Sequence, residues 1–194
     1  MSSQLVVVFG GSGFIGEQLV RALAKRGYRV RVPMRRPHLA PELRVVGDVG
    51  QIQLMQANVR FPESVERALE EADAVVNLVA VMHEHGKQTF DNLHVEGAKA
   101  IAEAAAKRGI ERVVHVSALG AAPSGARYAK SKFEGEEAVR KAVPSATILR
   151  PSLVFGPEDD FFNRFAKMAA TASAFRPFGA LPVIGGGKTK FQPV

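Results

Sequence analysis

A tyrosine and a lysine stand four residues apart in RYAKSK, residues 127–132, as Tyr128 and Lys132. On a helix that spacing puts both on one face, a turn apart. A lysine so placed can lower the pKa of a phenol by its charge, and such a phenol can pass a proton to or from a substrate oxygen. The ordinary alternative is a half-exposed helix tyrosine beside a surface charge. Ser117, at the end of a β-branched run, is the nearest hydroxyl that could join the pair as a hydrogen-bond donor.

A second chemistry lies at GGSGFIG, residues 10–16, where Gly10, Gly13 and Gly16 form a G-x-x-G-x-x-G pattern. Gly10 suits a tight turn. Gly11, Ser12 and Gly13 bring backbone close to a pyrophosphate, which the N–H groups around Phe14 and Ile15 at a helix start can bind. Gly16 lets the helix pack closely on the preceding strand. A strand before and a helix after turn a weak pattern into a dinucleotide signature. The end of the next strand reads VPMRRP, with Arg35 and Arg36 and no acid. A carboxylate there would hold a ribose 2′-OH, whereas a guanidinium takes a 2′-phosphate in bidentate fashion. The pair therefore favours NADP(H) over NAD(H). Asn58 and Val59, then Ala80 and Val81, fall at later strand ends, where the adenine and ribose should pass. HEH at 83–85 has only two histidines in a loop, without the third ligand a zinc site requires, and no metal is expected.

These groups need a scaffold, and the chain alternates short apolar runs with helical stretches. Strands are read at 4–10, 28–34, 52–57, 74–80, 111–117 and 145–152, and helices at 14–27, 62–73, 93–109 and 126–142. Ile15, Leu19 and Leu23 are expected inward on the first helix, and Val95, Ala98, Ala102 and Ala105 on the third. This grammar predicts an α/β fold: a Rossmann-type doubly wound parallel sheet with helices on both faces. LAKRGYRVRV and AAKRGIERVV repeat one theme, a helix end, a glycine and a strand, with Gly27 and Gly109 at left-handed caps. Residues 1–155 are read as the nucleotide-binding domain. Residues 156–194 are read as a partial C-terminal segment, the start of a small substrate-type domain. Its helix is opened by Asp159 or Asp160, and Phe161, Phe162, Phe165 and Met168 are expected to form core. The closing FQPV resembles a strand beginning, which implies that the natural chain runs on.

The 194 residues carry a net charge of +7 and no cysteine or tryptophan, with 46% hydrophobic residues. Disulfides, thiolate metal sites and a cysteine nucleophile are excluded. The basic residues are scattered and aromatics are 7%, which argues against nucleic acid and for a phosphate-bearing ligand, an acidic partner or an anionic membrane face. No apolar run is long enough to span a bilayer. MSSQ leads straight into a strand, so no signal or transit peptide is expected.

GGSGFIG, VVNLVAV, RVVHVSALGA, YAKSK and TILRPSLVFGPEDDFFNRFA together resemble the short-chain dehydrogenase/reductase superfamily, in its extended or atypical, epimerase/dehydratase-like branch. More narrowly, GDVGQIQLMQANVR, ARYAKSK, FGPEDDFFNRFAKMA and KFQPV are similar to the NADPH-binding accessory subunits of respiratory complex I and their bacterial relatives. That resemblance implies a bound NADP(H) with a largely structural or regulatory role, respiratory complex I subunits as partners, and a cytoplasmic place, at or near the face of a respiratory membrane. In active superfamily members the tyrosine is the proton donor or acceptor, the lysine lowers its pKa and binds the nicotinamide ribose, and a serine or threonine polarises the carbonyl. Tyr128, Lys132 and Ser117 match those roles, and Pro151 matches a residue packed on the nicotinamide. Ala118 and Leu119 stand where active extended members place the hydroxyl, with Ser124 in a nearby loop, and His94 stands where relatives often carry Asn. The alternative function is an active NAD(P)-dependent reductase or epimerase/dehydratase, acting through Tyr128 and Lys132 on a small carbonyl or a nucleotide sugar.

Overall fold

Five consecutive apolar residues, Leu5–Phe9, form β1, and all five are buried. A strand covered on one face would alternate, so this run requires cover on both. Leu5, Val7 and Phe9 enter one core with Val65 and Leu69, Ile101 and Ala105, and Val139. Val6 and Val8 enter a second with Val20, Ala24, Val30, Val32 and Leu43. The computed structural model describes residues 4–174. The chain falls into two compact units, Met1–Arg150 and Pro151–Val194.

In the first unit β1 is followed by α1 (Phe14–Lys25), β2 (Arg29–Met34), β3 (Ile52–Gln56), α2 (Pro62–Ala68), β4 (Ala74–Asn77), α3 (Glu96–Lys107), β5 (Val113–Val116), α4 (Arg127–Ala142) and β6 (Thr147–Leu149). Every pairing is parallel. The order β3-β2-β1-β4-β5-β6 makes β1 and β4 neighbours. The chain winds outward from β1 to β3, then returns to β4 and winds the other way. Loops at the carboxyl ends of β1 and β4 therefore diverge and open a crevice. The expected parallel sheet with helices on both faces is the observed one.

Several elements are shorter than their sequence patterns, for identifiable reasons. α2 stops at Ala68 because the buried Arg31 of β2 donates to the carbonyls of Ala68 (2.9 Å) and Glu70 (2.6 Å), capping the helix end. The inward stripe of α1 is Gly16, Val20 and Ala24, with Leu19 and Leu23 packed beside it. Ile15, expected inward, is 36% exposed because it sits one position off that stripe. Val95 is only half-buried, since Asp91–Val95 is a turn of π-helix and the α-helical phase starts at Glu96. Gly27 and Gly109 follow α1 and α3 at φ +80° and +68°, the left-handed caps expected of them.

In the second unit α5 spans Asp160–Ala174. Asp159 precedes it and its carboxylate accepts from the Phe162 and Asn163 N–H groups, an N-cap. Phe161 meets Phe165 edge-on at 5.1 Å, while Phe162 and Met168 each remain 38% exposed rather than forming closed core.

A β-carbon added at Gly16 would overlap the Gly10 carbonyl oxygen and come within 2.6 Å of Gly11 Cα. Both neighbours are backbone and cannot rotate aside. Gly16→Ala should lower unfolding stability by about 1–3 kcal/mol, read as the urea midpoint at unchanged slope. An unchanged midpoint would show that α1 can withdraw from β1 at no cost.

Candidate functional site: a crevice at the carboxyl ends of the strands

The floor of the crevice is the β1–α1 turn. α1 begins with Gly13 as N-cap, and no side chain caps it, so its first N–H groups are free to meet an anion. Gly13 adopts φ −96°, ψ 173°, a conformation open to any residue. A β-carbon there would meet only the Gly10 carbonyl, at 3.4 Å. Neither strain nor internal packing demands a glycine at position 13. The open space beside the helix start would let a pyrophosphate approach the backbone closely.

The crevice holds about 300 Å³, at the lower end of small-molecule sites. Of the residues singled out from the sequence, Gly10, Ser12, Gly13, Arg35, Asn58, Val59, Ala80 and Val81 line it. Gly11 is buried beneath, where a β-carbon would strike Val32 at 2.8 Å. Phe14 and Ile15 belong to the first turn of α1. Arg36 is exposed and precedes a short 3₁₀ turn, Pro37–Leu39, outside the lining. Pro151 belongs to the second unit.

Arg60 and Gln88 line the crevice too, although neither drew notice in the sequence. Arg35 Nη1 donates to Gln88 Oε1 at 2.6 Å, joining the end of β2 to the loop after β4. Arg60 rests on the Phe61 ring, 5.9 Å from its centroid. No carboxylate lines the crevice among the described residues. His83 and His85 are exposed, and Glu84 between them is a clasp. Its carboxylate accepts from Phe90 N–H (2.9 Å) and pairs with Arg127 at 3.0 Å, holding the starts of the α3 and α4 segments.

Tyr128 and Lys132 share a face of α4, as their spacing requires, but their couplings differ from the expected ones. Lys132 is 1% exposed and its Nζ donates to the Val116 carbonyl at 2.8 Å. Burial lowers its pKa to about 8, against the raising influence of Glu136. The Tyr128 phenol is shifted upward by burial, not downward by the lysine. The lysine nitrogen is engaged with β5. Ser117 is also buried, and its Oγ makes no hydrogen bond of normal geometry. It faces Glu136, whose fully buried carboxylate is held ionised against its own desolvation by Arg150 at 2.8 and 2.6 Å, with Ser117 and Arg140 assisting.

His94 is the residue that sequence reasoning undervalued. Its place at the start of a helical stretch suggests a solvated polar side chain, yet it is 1% exposed. The π-turn carries it beneath Leu93, which lines the crevice, and its ring lies edge-on to Tyr128 at 5.4 Å and 89°. Its partners come from the loop after β4 and from α4, and no local sequence pattern marks a π-turn.

A parallel sheet whose strand order reverses beside an uncapped, glycine-floored helix start defines a Rossmann-type dinucleotide-binding protein. Within that class, residues 6–191 match the NAD dependent epimerase/dehydratase family, and the chain belongs to it. It is 38% identical, over its full length, to the mitochondrial NADH dehydrogenase (ubiquinone) 1 alpha subcomplex subunit 9 of Arabidopsis thaliana, and covers 48% of that protein. It is 36% identical to a ceramide reductase of Caulobacter vibrioides, over 80% of this chain and 48% of that one. The UDP-glucuronic acid 4-epimerase of Bacillus cereus in complex with NAD superposes with a TM-score of 0.73 at 20% identity, covering 87% of this chain and 64% of the epimerase. The chain thus spans about half the length of the curated relatives it matches. Among the described residues no helix is long and apolar enough to cross a membrane.

The two buried imidazoles make stability depend on pH. Burial first, then the Lys132 charge, lowers both His94 and His115 to about 4. Unfolded, each binds a proton near 6.5. The stability they contribute is fully present above pH 6.5 and is lost as the pH falls through 4. The urea midpoint should decline between pH 6.5 and 4.5, and His115→Asn should flatten the decline. A midpoint constant over that range would rule out neutral, buried imidazoles.

Proposed function

We propose that this protein binds NADP(H) in the β1/β4 crevice and holds the nucleotide as a structural or regulatory element of respiratory complex I. What supports NADP(H) is that Arg35 and Arg60 line the crevice with no lining carboxylate among the described residues to oppose a 2′-phosphate. Gly10 to Gly13 and the first turn of α1 would take the pyrophosphate, and Ala80 and Val81 would border the nicotinamide ribose. Bound, the cofactor would supply hydride chemistry. One observation favours holding over turnover: the Ser117 hydroxyl is buried on the Glu136 side, and Ala118 and Leu119 follow it, so among the described residues this strand end offers no exposed hydroxyl to a developing oxyanion. The likeness to NADH dehydrogenase subunits over the full chain supports complex I as the setting.

The ceramide reductase relative supports a second reading, a reductase that uses Tyr128 as proton donor to a lipid-borne carbonyl. The two readings part on simple tests. Native protein recovered with complex I, and no NADPH oxidation with 3-oxo lipids, favours the first. Turnover that Tyr128→Phe abolishes favours the second, and turnover that survives Tyr128→Phe defeats it.

Cofactor choice can be read by titration. NADPH should bind more tightly than NADH. Arg35→Ala should erase that preference, weakening NADPH by about tenfold to a hundredfold, the worth of one or two charge-assisted hydrogen bonds. Arg36→Ala, outside the lining, should change it by less than about threefold, well below the worth of such a bond. Gly13→Ala, an N-cap change without a backbone clash, should lower the urea midpoint less than Gly16→Ala and still weaken both nucleotides. Equal affinity of the parent for NADPH and NADH would refute the 2′-phosphate assignment.

A further inference from the structure

The crevice wall and the tyrosine-bearing helix are joined through one imidazole. Val81 N–H donates to His94 Nε2 at 3.0 Å. A backbone N–H can only donate, so Nε2 accepts and the proton resides on Nδ1. Nδ1–H then donates to Ser131 Oγ at 2.9 Å, and the Ser131 hydroxyl donates to the Tyr128 carbonyl at 2.8 Å. One neutral tautomer satisfies the whole chain of bonds, from a residue that lines the crevice to the backbone of Tyr128. The side chain of Tyr128 is held by the same neighbours. His94 stacks on Phe90 at 5.2 Å and 21°, and both rings meet Tyr128 edge-on, at 5.4 and 5.7 Å. The backbones are equally close, because a β-carbon at Gly135 of α4 would overlap the His94 carbonyl oxygen.

We propose that His94 is a positioning residue that fixes the Tyr128 face of α4 to the crevice wall at Val81 and so sets where the phenol stands against the nicotinamide half of the nucleotide. The inference rests on the NADP(H) reading for the identity of the ligand, while the link itself is independent of it. The geometry favours a link over simple filling of space. A packing residue needs neither ring nitrogen, and here both are bonded to different elements. The π-turn, which costs one regular helical bond, is what turns the ring between them.

The two nitrogens can be tested separately on the full chain. Asn places its amide near Nδ1 and can still donate to Ser131, but it falls short of Val81. Gln reaches the Nε2 position and can accept from Val81, but it releases Ser131. The probes are NADPH and 2′,5′-ADP, which carries the phosphate-bearing adenosine half without the nicotinamide. His94→Asn and His94→Gln should each weaken NADPH by about tenfold, the order expected when a buried hydrogen-bonding group loses its partner, and leave 2′,5′-ADP within about twofold. A merely structural role would weaken both probes alike or neither. A second readout needs no nucleotide. The chain has two tyrosines and no tryptophan, so in a Tyr28→Phe background the ultraviolet phenol titration reports Tyr128 alone. Its midpoint should lie above 10 in the parent and move down in His94→Ala. Ser131→Ala, which keeps the ring but cuts its link to α4, should move it the same way if His94→Ala fails to fold. Unchanged NADPH affinity in both His94→Asn and His94→Gln, or an unmoved phenol midpoint, overturns the proposal. If the parent binds neither nucleotide, the NADP(H) reading falls and the phenol titration alone decides the link.

Discussion

The first turn of α1 lies so close on the β1–α1 turn that no side chain fits between them. Gly16 meets the Gly10 carbonyl and Gly11, and Gly11 in turn rests against Val32 of β2. This contact fixes the helix start directly above the end of β1. Because β1 lies between β2 and β4, the helix start also stands where the two halves of the sheet part. The crevice, its uncapped N–H groups and the reach of Arg35 from β2 all follow from that one approach of backbone to backbone.

A second constraint operates behind the crevice, in the polar layer of α4. Ser131, Lys132 and Glu136 are all buried, and each is tied to another element. Lys132 reaches the Val116 carbonyl, Glu136 takes Arg150 in bidentate fashion, and Ser131 meets His94. Buried charges are tolerated only when so satisfied, and removing one partner of such a pair commonly costs several kcal/mol. The layer therefore fixes the register of α4 against β5 and β6. It also accounts for the state of Tyr128 and Lys132: the lysine is drawn to a strand carbonyl, and the phenol is governed by its own burial.

Much of the fold was legible because its signals are local. The buried run at β1, the glycines after it, the repeated helix–Gly–strand ends at Gly27 and Gly109, and the β-branched strands each act within a few residues. The lining positions Asn58, Val59, Ala80 and Val81 were legible for a topological reason, since in a doubly wound sheet the carboxyl ends of strands face the ligand. What escaped notice involves partners distant in sequence. α2 ends early because Arg31, 37 residues away from Ala68, takes its carbonyl. Arg60 and Gln88 reach the crevice from loops whose paths no periodicity describes.

The sequence by itself determined the class of fold, the glycine floor, the absence of an acid at the end of β2, and the placing of Tyr128 and Lys132 on one helical face. These depend on residue type and short spacing, which are written in the chain. Only the tertiary structure decided what those groups face. It turned Ser117 toward Glu136, drew Lys132 to β5, left Arg35 in the crevice and Arg36 outside it, and made His94 a bridge between Val81 and Ser131. Each of those outcomes depends on which strands and helices become neighbours, and burial and hydrogen bonding act on a side chain only once its neighbours are in place.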